Sequence, residues 1–281
     1  MTPRVGVVGH VEWVEFAVVS HVPAPGEILH ARETFAEPAG GGAVAAVQLT
    51  RLAGRALFVA AVGDDELGRR AEARLREGFG VEVVAGRRRA PQRRAFTFLD
   101  DDHERTITVL GPRLVPEGQD PLPRARLAEL DAVYFTGGDV EALRAARAAR
   151  VLVATPRALD TLRAGHVPVD ALVLSGTDPG EAVADGLLDP PPALVVRTRG
   201  GEGGEWVATE GRTGTWRAAA LPGEPVDSYG SGDSFAAGLT FGLGAGLPLD
   251  QALAFAARCG AACLCGRGPY AAPMPAPPSA P

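Results

Sequence analysis

Short apolar runs alternate with stretches of helical character along most of this chain. Residues 5–8 form the first run, between Arg4 and Gly9-His10, and read as a buried strand. Residues 11–35 mix strand formers around a turn at Pro23-Ala24-Pro25-Gly26, which predicts strand or hairpin arms reaching out from the core. Pro38-Ala39-Gly40-Gly41-Gly42 then leads into AVAAVQLTRLAG, a helix with Gly54 as its stop. Residues 56–62 read as a second buried strand. Gly63-Asp64-Asp65-Glu66-Leu67-Gly68 opens a helix running to about Glu77, with acids in the first turn as the helix dipole prefers. A strand is expected at 81–84, and the five arginines of 87–94 read as a solvated connector. Residues 94–99 and 105–110 flank the polar turn at 100–104, a hairpin signal. Together with 11–35 that hairpin would form a small sheet apart from the main one.

Beyond Pro121 the rhythm becomes that of βαβ units. Strands are expected at 132–135, 151–154, 171–174 and 194–197, with a helix at 140–149 and a second hairpin from 205–208 and 215–218. The pattern predicts an α/β fold: a mostly parallel sheet between helices, with ligands beyond the carboxyl ends of its strands. A last helix of small residues covers 249–265. One domain is expected over residues 1–270, followed by a Pro-rich tail, 271–281, without fixed structure.

Composition narrows the chemistry. The chain has 281 residues, 46% of them hydrophobic, and a net charge of −6, which speaks against a general nucleic-acid binder. No apolar run is long enough to span a membrane, and the first ten residues lack a signal peptide's apolar region. Cys259, Cys263 and Cys265 come late and give no disulfide framework, so a cytoplasmic location is expected. Two of these cysteines share a helix face, yet no histidine pair follows at zinc spacing, and packing is the reading adopted. All 28 basic residues are arginines, and asparagine is absent as well. A phosphate-binding loop that needs lysine is therefore excluded.

The stretch Asp227-Ser228-Tyr229-Gly230-Ser231-Gly232-Asp233-Ser234-Phe235 carries the candidate chemistry. Small flexible residues precede a carboxylate at the start of a predicted helix. Glycines allow close approach of a ligand to the backbone, and a helix start offers free N–H groups to an anion. Asp233 in that place either takes a proton from a hydroxyl or merely caps the helix.

That stretch is similar to the D-T-x-G-A-G-D-x-F signature of the ribokinase-like (phosphofructokinase B) carbohydrate kinases. The Gly40-Gly41 region and Val62-Gly63-Asp64-Asp65 with Gly68 resemble two further motifs of the family, in the right order. The resemblance implies a ribokinase-like fold with a β-lid from about 11–35 and 94–110. It implies transfer of the γ-phosphoryl group of ATP to a hydroxyl of a small sugar or polyol. Asp233 would be the base, and the amides of Gly230, Ser231, Gly232 and Asp233 the anion hole. Glu12, Gly40, Gly41 and Gly42 would hold the substrate. Thr198, Gly200 and Gly203, in a stretch resembling T-x-G-x-x-G, and Gly268 would bind ATP. Asp227 would belong to a monovalent-cation (K⁺) site, and Asp178 would support Mg²⁺. A homodimer through the lid strands is a further implication.

The chain also departs from the family pattern. Glu12 and Val14 stand where a lid Asn and Asp are usual, Ala45 stands for an Asn, and Ser175-Gly176-Thr177-Asp178 replaces N-x-x-E. Two other readings follow. One is a nucleoside kinase, with Trp13 and Phe16 of the lid lining a base pocket. The other is a metabolite-binding regulatory protein with weak or lost catalysis.

Overall fold

Strand β1 (Val5–Val8) is buried on both faces, and its neighbours in the sheet explain why the apolar runs are continuous rather than alternating. In the computed structural model, which describes residues 2–183 and 186–277, β1 pairs in parallel with β4 (Ala56–Gly63) and β8 (Ala132–Phe135). Successive residues point to opposite faces, so Val7 and Phe58 enter one core while Val8, Leu57 and Val59 enter the other. The first core is covered by α1 (Gly41–Ala53), α6 (Ser231–Gly244) and α7 (Leu249–Leu264). The second is covered by α3 (Arg124–Ala128), α4 (Val140–Arg147) and α5 (Leu159–Gly165).

The main sheet has nine strands. Its parallel part runs β11 (Leu194–Thr198), β10 (Ala171–Ser175), β9 (Val151–Ala154), β8, β1, β4 and β5 (Glu82–Arg88). The hairpin of β12 (Gly204–Ala208) and β13 (Thr213–Trp216) extends it antiparallel at the β11 edge. The expected α/β class with a mostly parallel sheet is therefore the observed one. The second predicted hairpin turns out to be an edge of the main sheet.

A four-stranded lid forms from β3 (Glu33–Ala39), β2 (Glu12–Val18), β6 (Arg94–Leu99) and β7 (Arg105–Leu110). Its first segment runs further than the expected 11–35, because β3 pairs with β2 as far as Glu12↔Ala39 and so reaches the glycines that start α1. Trp13 and Phe16 are buried within the lid base. Trp13 lies under the Arg70 guanidinium, and Phe16 stacks on Phe35 with ring centroids 4.5 Å apart. They are occupied by packing and do not line an open base pocket. Glu15 lies on the opposite face of β2 from Glu12 and pairs with Arg94 at 2.6 Å.

The reading of the arginine-rich segment changes. Arg88 makes paired 2.7 Å bonds to Asp120, and Arg93 reaches inward to Glu12. A connector that looks solvated by composition is fastened to the core at both ends. Asp65 caps α2 (Glu66–Ala73) by accepting from Gly68 N at 2.8 Å, and also accepts from Gln92 N. A Cβ at Gly68 would lie 2.0 Å from Gly63 O. The Gly63-Asp64-Asp65-Glu66-Leu67-Gly68 motif thus seats the helix against the strand end. α6 and α7 also need small residues: a Cβ on Gly238 would lie 2.8 Å from Cys259 Sγ. Cys259 and Cys263 are free and buried, and burial pushes the Cys263 thiol up to about 12. At the chain's end, Ala272 is buried and its carbonyl accepts from Arg51, while residues 278–281 lie outside the described part. No helix among the described residues is long and apolar enough to cross a membrane.

Candidate active site

Asp227 is 1% exposed and acts as a clamp. Its Oδ1 accepts from Tyr229 N at 2.9 Å and its Oδ2 from Gly268 N at 2.6 Å. Burial raises its pKa, against those two bonds. Gly230 then turns the chain in the left-handed region (φ 81°), where a Cβ would lie 2.9 Å from Pro269 Cβ. α6 starts at the next residue, with Ser234 N bonded back to Gly230 O. The amides of Gly232 and Asp233 have no acceptor among the described residues, and the Ser231 amide has only a long 3.4 Å contact to Ser228 O. Gly232 is exposed, with no atom within 4 Å of where its Cβ would be. The positive end of a 14-residue helix thus opens onto free space with donors unpaired.

Asp233 is the third residue of that helix, while Gly230 occupies the capping position. Its carboxylate accepts no bond from the first-turn amides, so the capping alternative does not describe it. Instead it points at the start of α1, where a Cβ on Gly41 would lie 2.8 Å from Asp233 Oδ1. Two helix starts therefore meet at this carboxylate. Water reaches it partly, yet the surrounding protein takes much of it out of solvent. That desolvation raises its pKa to about 6, opposed by Arg157 and Arg105 and reinforced by Glu181 and Glu12.

On the lid side, Glu12 is 6% exposed, with Oε1 2.7 Å from Arg93 Nε and 3.6 Å from His10 Nε2. Burial raises the Glu12 pKa against the pull of Arg93, Arg113 and Arg157. The same burial, with those arginines, holds His10 well below the ordinary histidine range, so it is neutral. Gly40, at φ 83°, packs against both side chains, and Gly42 packs on the His10 backbone. Two buried polar atoms here, His10 Nδ1 and Thr136 Oγ1, lack a hydrogen-bond partner among the described residues, and the close Arg93 Nε–Glu12 contact is an ion pair whose N–H is not aligned as a hydrogen bond. Val14 and Ala45 are fully buried apolar residues, so neither offers a hydroxyl contact.

The carboxyl ends of β10 and β11 form the other flank. A cleft of about 240 Å³ is lined there by residues 174–179 with Ala182, Val183 and Arg197. Asp178 Oδ1 caps a short turn through Gly180 N, and its Oδ2 lies 3.3 Å from Arg157. A second carboxylate, Glu181, is more deeply placed. It accepts from Ser175 N at 2.8 Å and pairs with Arg157 Nε at 2.8 Å. Thr198 ends β11, and its carbonyl accepts from Gly176 N at 2.7 Å. Gly200, at φ 54°, faces open space, as does Gly201. Gly203 and Gly268 are demanded by packing: Cβ atoms there would lie 2.1 Å from Trp216 O and 3.0 Å from the Phe35 ring.

The tertiary structure thus brings the turn at Gly230, Ser231 and Gly232 with Asp233 against Gly41, and Gly40 against Glu12 and His10, while Asp178 joins this cluster through Arg157. It adds His10, Arg93, Arg113, Arg157 and Glu181, which sequence reasoning passed over. Glu181 had a faint signal, a second acid three residues after Asp178. Arg157, behind Thr155-Pro156 at the end of β9, and Arg113, in a loop, had none. No group of three or more His, Cys, Asp or Glu suited to a metal occurs among the described residues.

The sequence model of the pfkB family carbohydrate kinases matches residues 3–168 and 176–277. A curated relative, the acarbose 7(IV)-phosphotransferase of Actinoplanes sp., is 46% identical over 70 residues, which is 24% of this chain and 23% of that protein. The match thus spans about a quarter of that relative's length. Among solved structures, Arabidopsis thaliana ribokinase complexed with ribose and ATP superposes with a TM-score of 0.73 at 19% identity, covering 95% of this chain and 94% of that one. The adenosine kinase of Sinorhizobium meliloti gives a TM-score of 0.73 at 19% identity over 100% and 97%. At such identities the likeness is one of fold.

Proposed function

This chain belongs to the pfkB family of carbohydrate kinases, and from that premise we propose that it transfers the γ-phosphoryl group of ATP to a hydroxyl of a small sugar or polyol. The observation that carries the reading is Asp233: a desolvated carboxylate with pKa about 6, free of capping bonds, beside two unpaired amides at a helix start. Phosphoryl transfer asks for positioning and charge stabilisation rather than covalent catalysis. Asp233 accepts the proton of the acceptor hydroxyl, and its raised pKa makes it a stronger base than a solvated aspartate. The Gly232 and Asp233 amides, on the turn made by Gly230 and Ser231, stabilise charge on the transferring group. Glu12 and the amides of Gly40, Gly41 and Gly42 hold the acceptor.

Thr198, Gly200 and the neighbouring cleft receive the nucleotide, with Gly203 and Gly268, close-packed on Trp216 and Phe35, beside it. Mg²⁺ bound with the nucleotide supplies positive charge to the phosphates. Asp178, which lines the cleft, would help to hold the ion, with Glu181 close behind through their shared partner Arg157. Asp227 retains a second lone pair on each oxygen and is the residue that would face K⁺. The edge strand β7 exposes Ile107, Val109 and Leu110, and the reading extends to a homodimer formed through the lid.

Assaying ATP consumption over a panel of free sugars, polyols and nucleosides tests the proposal. Turnover with a sugar or polyol is expected. Turnover with nucleosides alone would replace the acceptor class, and metabolite binding without turnover of any acceptor would overturn the reading.

A further inference from the structure

A second concavity lies at the carboxyl ends of β8 and β9, of about 290 Å³, lined among others by Arg113, Gly137, Gly138, Pro156, Arg157 and Thr161. It adjoins the site just described. Thr136, before Gly137, sits against Gly9, which in turn packs on Gly42 next to Gly41 and Asp233. The cations around it are not equally satisfied. Arg93 pairs with Glu12, and Arg157 pairs with Glu181 and Asp178. Arg113 is half-buried and pairs with no carboxylate among the described residues; its hydrogen bond there is from Nη1 to the Arg157 carbonyl at 2.8 Å. A guanidinium has five donors in a fork that matches carboxylate and phosphate oxygens. Here the guanidinium belongs to a residue that lines the cavity, and no counter-charge among the described residues meets it. Burial and the neighbouring Arg93 and Arg157 act against its charge, while Glu12 and Asp233 are close enough to favour it. A cation held half out of water without a partner is costly unless a ligand supplies the anion.

We infer that the Arg113 cavity binds an anionic group of the phosphoryl acceptor, so that the acceptor is a sugar acid or a sugar phosphate rather than a neutral sugar. This rests on the kinase reading for the word acceptor, but the anion site itself does not. Arg113 supplies the fork, Arg157 the second positive wall, and Thr161 and the Gly137-Gly138 backbone complete the lining. The acceptor's hydroxyl would then lie toward Asp233 and Glu12.

The test compares gluconate, ribonate and glycerate with glucose, ribose and glycerol, and with the corresponding sugar phosphates, in wild type and in Arg113→Gln. Turnover is followed with ATP, and binding of the same compounds by calorimetry. Wild type is expected to prefer one anionic arm, carboxylate or phosphate, over its neutral counterpart. Arg113→Gln should raise KM for that compound by about ten- to a hundredfold, the size of a lost charge-assisted contact, with kcat and the KM for ATP little changed. A wild-type preference for neutral sugars would overturn the inference and leave the kinase reading standing. So would a variant that lowers kcat equally for charged and neutral acceptors, since Arg113 would then serve the transferring group. Anion binding lost in Arg113→Gln without turnover of any compound would uphold the site and sink the kinase reading. The wild-type preference needs no variant, and Arg113→Lys, which keeps the charge but not the fork, should recover only part of the binding.

Discussion

Replacing Asp233 by Asn should separate activity from stability, and both directions follow from its surroundings. The amide keeps the shape but cannot accept the hydroxyl proton. Loss of a general base costs about 10²–10⁴ in kcat. In the wild-type protein kcat/KM should rise with pH through about 6 and level above it, because the base must be ionised. At pH 5 about a tenth of the molecules would carry the carboxylate, and the residual activity of Asp233→Asn should lack that acid limb. Stability moves the other way. The folded-state pKa of about 6 exceeds the ordinary 3.8, so between these values the native state binds the proton more tightly than the unfolded chain. Stability is therefore lost as pH rises through that window. At neutral pH the charged group costs at most about 3 kcal/mol, at about 1.4 kcal/mol per pKa unit, and less to the extent that water reaches it. Asp233→Asn should accordingly raise the thermal midpoint by a few degrees at neutral pH, with the gain vanishing near pH 4. Scanning calorimetry and initial rates over the pH range measure both. A variant with full activity, or one with a lower midpoint at neutral pH, would refute the reasoning.

Gly41→Ala would place a Cβ 2.8 Å from Asp233 Oδ1 and displace the carboxylate; kcat should fall about a hundredfold while ATP affinity, read by titration, stays. Glu181 raises and Arg157 lowers the Asp233 pKa. The acid limb of the pH–rate profile should therefore shift to lower pH in Glu181→Gln and to higher pH in Arg157→Gln. Gly203→Ala combines a φ of 89° with a contact of 2.1 Å to Trp216 O. It should lose about 2 kcal/mol or more in urea unfolding, whereas Gly201→Ala, with open space around it, should be near neutral.

Much of the fold was legible because its causes are local. The runs at β1, β4, β8 and β10 are apolar on both faces, as a strand buried between helix layers must be. Gly54 ends α1 in the left-handed conformation that the sequence signal predicted. The edge hairpin β12–β13 was legible as a hairpin but not as part of the main sheet, since pairing with β11 is a long-range choice. The lid's reach to Ala39 was hidden for the same reason.

The glycines and Asp233 announced the backbone of the site because tight turns and helix starts leave a residue-type signature. Its charges did not announce themselves. Arg93 looked like one of five solvated arginines, and only the fold brings it 2.7 Å from Glu12. Arg113 and Arg157 lie 44 residues apart in sequence yet are bonded to each other. Sequence alone determined the strand and helix periods, the turn that starts α6, and the absence of lysine and asparagine from any mechanism. Tertiary structure decided which carboxylates are desolvated and which arginines find partners. Burial and Coulomb interactions act through space, and a one-dimensional pattern carries no distances.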